Sequence, residues 1–71
     1  MSKTFTLARA VEIAESVLNR KGDAYLFNGT LFAMCSVREA VQIESALLRE
    51  CGCGIILSRN LKIGESSFDF V

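Results

Sequence analysis

The chain has no histidine and no proline, its eight basic and eight acidic residues cancel, and none of its apolar runs is long enough to span a membrane. Each shortage closes a class of function. Without imidazole, the commonest general base and the commonest metal ligand are both missing. With no net charge and no cluster of Lys or Arg in any short window, nothing steers the chain toward a phosphate backbone, so nucleic-acid binding is disfavoured. No membrane contact is expected either. The N-terminus lacks the charged-then-apolar pattern of a secretory signal, and the expected location is cytoplasmic.

Cysteine is scarce as well, at Cys35, Cys51 and Cys53. With no secretory pattern these read as reduced thiols rather than a disulfide framework. Cys51-Gly52-Cys53 could chelate a metal, but zinc sites take four ligands and no histidine is present to complete one. The plainer reading makes Cys35 and Cys51 small buried hydrophobes and Cys53 a turn residue. Neither a metal nor a cofactor is expected. Catalysis is not expected either, because no Gly-rich phosphate loop and no Ser or Cys beside a base appears in the sequence. The one candidate reactive thiol, Cys53, would follow a helix C-terminus, where the dipole disfavours the thiolate. Paired carboxylates such as Glu12 with Glu15, or Glu39 with Glu50, read as solvated helix faces.

What is present is apolar substance, 51% of 71 residues, with charges spread rather than blocked. That composition implies a folded single domain over residues 1–71 rather than disorder. A chain of this size buries only about 60% of its unfolded surface, so a partner or a second copy would help to stabilise it.

The sequence also nearly repeats itself after 30 residues. Residues 6–31 lie on 36–61 without a gap, and Ala10/Ala40, Val11/Val41, Ile13/Ile43, Leu18/Leu48, Gly22/Gly52 and Leu31/Leu61 coincide. Thr6 is a good N-cap, and Leu7, Ala10, Val11, Ala14, Val17 and Leu18 then recur at the spacing of one helical face. This predicts a helix that ends at Gly22. Tyr25 to Phe27, Asn28-Gly29 and Thr30 to Met34 read as a tight hairpin. Ser36 and Glu39 form a capping box for a second helix that stops at Gly52. Gly54 to Leu57, a turn near Ser58 to Asn60, and Leu61 to Ile63 would repeat the hairpin, and residues 66–71 would add an extra C-terminal strand. The expected fold is α+β: two tandem α-β-β units forming a four-stranded, mainly antiparallel sheet with two helices on one face.

Alternation turns Leu61 and Ile63 toward the helices and Lys62 outward. Carried through the repeat, Leu31, Ala33 and Cys35 point to the helices, while Leu26, Phe32, Met34 and Ile56 lie on the opposite face. An apolar patch of that kind calls for a cover. The extra strand could fold back with Phe68 or Phe70 over it, the chain could self-associate, or a different protein could dock there. The second distinctive residue is Glu44, which at about 100° per residue falls inside the apolar arc of helix two. It either reaches Tyr25 or Arg59, or lines a small ligand pocket with them.

The functional expectation is a non-enzymatic protein-binding module, quite in keeping with a homodimer, acting through Leu26, Phe32, Met34, Ile56, Phe68 and Phe70. By analogy, small compact domains of this kind serve as accessory or inhibitory proteins, including phage- and plasmid-encoded ones. The alternative is a small-molecule binder or sensor with a pocket at Glu44, Tyr25 and Arg59.

Overall fold

A computed structural model describes residues 5–52 and 54–71. Along the chain run α1 (Leu7–Leu18), β1 (Ala24–Phe27), β2 (Thr30–Met34), α2 (Val37–Cys51), β3 (Ile55–Asn60) and β4 (Glu65–Phe70). The class is α+β, with both helices packed on one face of a four-stranded antiparallel sheet of order β1-β2-β4-β3. No helix among the described residues is long and apolar enough to cross a membrane.

Local chemistry explains where the helices begin and end. The Thr6 side chain accepts a hydrogen bond from the Arg9 amide at 3.1 Å, satisfying one of the first-turn donors that a helix leaves unpaired. Ser36 and Glu39 form the expected capping box, at 3.2 and 2.9 Å, and Gly52 closes α2 with φ 67°. The Ser36 amide, and after it the Arg20 guanidinium, hold the Glu39 carboxyl below its ordinary range against some desolvation. The first helix ends earlier than expected. Asn19, not Gly22, takes the left-handed closing position (φ 57°), a conformation that asparagine tolerates better than most side chains. Arg20 is thereby free of the helix and pairs with Asp23 and Glu39, tying the end of α1 to the start of α2. At the other end Arg9 reaches Glu50 at 2.5 Å, so the two helices run antiparallel with an ion pair at each end.

In the first hairpin Asn28 (φ 52°) and Gly29 (φ 79°) supply the two positive-φ residues that a tight turn of matching twist requires. The second hairpin departs from expectation. β3 runs on through Ser58, Arg59 and Asn60, and Leu61 to Ile63 form a turn, with Leu61 81% and Ile63 52% exposed. The cause is turn chemistry at both of its ends. Asn60 accepts from the Lys62 amide through its side chain and from the Gly64 amide through its carbonyl, and Gly64 has φ 68°. The C-terminal segment is therefore the fourth strand and not an addition to a completed sheet. It lies inside the sheet, pairing with β2 (Leu31 opposite Phe68) and with β3 (Leu57 opposite Phe68).

The core sits between helices and sheet. Ala10, Ile13, Ala14 and Leu18 of α1 and Ala40, Ile43 and Leu47 of α2 close on Ala24, Leu31, Ala33, Cys35 and Phe68. Leu31, Ala33 and Cys35 thus take the inward positions that alternation gives them. Alanine at Ala10, Ala14, Ala33 and Ala40 leaves room for the layers to approach, and Phe68, fully buried, is the largest side chain filling the space.

Candidate functional site

The residues that line the other face follow from pairing, because directly opposed residues of antiparallel strands project to the same side. Phe32 is opposite Tyr25 on one flank and Ser67 on the other, and Ser67 is opposite Ser58. That gives a central row of Tyr25, Phe32, Ser67 and Ser58. Towards one end lie Met34, Glu65 and Asn60, also mutually paired. Towards the other lie Phe27 and Thr30 on the first hairpin and Asp69 and Ile56 on the second. No described helix covers this face.

The face has two unlike halves. On β1 and β2 stand Tyr25, Phe27, Phe32 and Met34. The Tyr25 and Phe32 rings stack at 5.3 Å with 16° between their planes, and Phe27 tilts against Phe32 at 6.5 Å. Phe27 is 62% and Met34 38% exposed. On β4 and β3 stand Glu65, Ser67, Asp69, Ser58 and Asn60, with Ile56 the exposed apolar exception. Two hydroxyls join the halves. Tyr25 donates to Glu65 at 2.6 Å, and Thr30 donates to Asp69 at 2.5 Å. The bond to Glu65 pushes the Tyr25 phenol above its ordinary range, with desolvation and the carboxylate's charge acting in the same direction. Beside Phe32, where the tall aromatic side chains give way to serines, a shallow cleft of about 640 Å³ is floored by Ser58 and Ser67 and rimmed by Glu65 and Lys62.

Of the expected contact residues, Phe32, Met34 and Ile56 occupy this face, and three do not. Leu26 is opposite Leu31 and therefore projects to the helix side at the sheet's edge. Phe68 and Phe70 also face the helices, Phe68 within the core and Phe70 packed against it and against Phe5 at 5.7 Å. Neither can cover the outer face, because β4 is a member of the sheet and its side chains have fixed sides. Tyr25 and Phe27 are the residues that the repeat register misses. The two-residue Asn28-Gly29 turn carries the signal that finds them, since it sets Phe27 opposite Thr30 and Tyr25 opposite Phe32.

The alternative pocket is not assembled. Tyr25 stands on the outer face at the β1 edge, whereas Arg59 stands on the helix side of β3, at the far edge, and donates to the buried Ser66 hydroxyl at 2.8 Å. Glu44 lies partly buried on α2, and among the described residues no hydrogen bond or ion pair joins it to Tyr25 or Arg59. Of the cysteines, Cys35 is a buried free thiol near the Ala33 carbonyl, and Cys53 lies outside the described residues. Cys51 is disulfide-bonded, against the expectation of reduced thiols, so the compartment reading loses that support. Among the described residues no group of three or more metal-ligating side chains gathers.

No protein-family model matches the chain, and neither a curated protein nor a solved structure matches it.

Proposed function

We propose that the chain is a small non-enzymatic protein-binding module whose contact surface is the uncovered sheet face, carried on two tandem α-β-β units of which the second has the longer hairpin. One observation supports this above the rest: Tyr25, Phe27, Phe32 and Met34 form a contiguous aromatic and thioether patch on a face that no described helix covers. Small folded chains seldom leave such a patch to water, and aromatic and methionine side chains are enriched where proteins meet. The pocket reading has no comparable support, since its three residues stand on different faces or different layers.

Both a second copy and a different protein would satisfy the need to cover apolar surface. Light scattering of the purified chain, with mass spectrometry of what co-purifies from its native host, separates the two. Phe27 is largely exposed, so Phe27→Ser, which removes the ring without adding charge, is expected to weaken the association strongly while leaving the thermal midpoint within a few degrees. Association that survives in this variant would put the contact elsewhere and overturn the proposal.

A further inference from the structure

We infer that the occupant of the sheet face is a short basic segment of another protein, an inference that rests on the sheet-face reading above. Size is the first argument. Four strands at about 4.8 Å spacing and five residues at about 3.4 Å rise give a flat footprint of about 330 Å². A stable dimer interface takes about 800 Å² from each partner, so this face suits a segment better than a second copy of the chain.

Charge is the second. Glu65 and Asp69 flank Ser67 on β4, about 13 Å apart along the strand. Each is held by one hydroxyl, from Tyr25 and Thr30, which occupies one of the roughly four acceptor positions that a carboxylate offers. The described ion pairs join Arg9 with Glu12 and Glu50, and Arg20 with Asp23 and Glu39; neither Glu65 nor Asp69 takes part in one. The two basic residues nearby do not neutralise them. Arg59 is committed to Ser66 on the helix side, and Lys62, on the rim of the cleft near Glu65, forms no ion pair with it. The Asp69 end, bordered by Phe27, Thr30 and Ile56, carries a carboxylate and no basic side chain among its strand neighbours.

Aromatic faces beside unpaired carboxylates form a receptor for guanidinium, which stacks on a ring and accepts a bidentate carboxylate at its edge. A phosphate backbone meets repulsion here, although stacked aromatics on an open sheet would otherwise suit bases. A second copy meeting this face with its own would match the aromatic patch but set Glu65 and Asp69 against the same two carboxylates, with one lysine from each copy.

The test is amide chemical-shift mapping on the isotope-labelled chain, with glycine-spaced peptides bearing arginine, glutamate or norleucine at every second position. The arginine peptide is expected to shift the amides of Phe27, Thr30, Phe32, Ser67 and Asp69. Asp69→Asn, which keeps an acceptor for Thr30, should weaken that binding about tenfold, and high salt should weaken it further. Equal binding of norleucine and arginine peptides at these amides would sink the basic partner and leave the sheet-face reading standing. Shifts confined to the helices, or none with any peptide, would also overturn the inference, and only the Phe27→Ser experiment then decides the wider reading. Displacement by a single-stranded oligothymidylate, or a dimer that protects these amides, would overturn it in favour of nucleic acid or a second copy.

Discussion

Tyr25 joins the aromatic half of the outer face to the carboxylate half, and its ionisation reports that junction. The phenol is raised by its bond to Glu65, so the folded state favours the neutral form. The contribution is complete below the unfolded value near 10 and is lost as pH rises through the higher folded value. In the intact chain, phenolate absorbance should therefore develop later with rising pH than in unfolded chain. Glu65→Gln should move it back toward the unfolded curve. An unchanged titration in that variant would show that the hydroxyl and the carboxylate are not coupled in solution.

The second hairpin shows which element-scale signals prevail when two of them conflict. Leu61 and Ile63 have the alternation of a strand, yet they lie in the turn that Asn60 and Gly64 close. Gly64 has φ 68° and open space where a β-carbon would stand, so Gly64→Ala meets no clash and pays only for backbone conformation. It should cost about 1–2 kcal/mol in denaturant unfolding, while Leu61→Ser, at a solvent-exposed position, should cost under about 0.5 kcal/mol. The reverse order would mean that Leu61 belongs to the core. Signals confined to a few neighbouring residues were mostly legible in the sequence: the Ser36-Glu39 box, the Gly52 stop and the Asn28-Gly29 turn act where expected, whereas Asn19 closes α1 ahead of Gly22. Those that depended on carrying a register across 30 residues were legible only in part. Leu26 on the outer face and strand status for Leu61 to Ile63 both came from assuming hairpins of equal length, whereas β3 has 6 residues and β1 has 4. Phe32, Met34 and Ile56 were placed through the same register and do stand on the outer face, although its starting point, Leu61 and Ile63 turned toward the helices, is a turn in the structure. Glu44 shows the limit of helical arcs, which place a residue near a core but do not say which strand lies beneath it.

For the molecule as a whole, Phe68 holds the two hairpins and both helices to one core. Phe68→Ala removes the largest fully buried side chain and should cost about 3–5 kcal/mol, a large share of what a chain this small has. Broadened amide resonances on β2 as well as on β4 would accompany that loss, because Leu31 is opposite Phe68. A loss confined to β4 would mean that the first hairpin and α1 fold independently. The outer face, in contrast, should tolerate polar substitution at Phe27 with little change in stability.

The place of β4 has a consequence for how the chain is made. Strand β4 follows β3 in sequence yet lies between β2 and β3 in the sheet, so a chain synthesised only as far as Asn60 carries both helices but leaves the inner edge of β2 without its neighbour. Until Phe68 arrives, Leu31 and Ala33 sit beside an open backbone ladder, the condition under which strands from separate chains find one another. Forms of the chain that lack β4 should therefore be prone to aggregate, and solubility during synthesis depends on how quickly β4 follows β3.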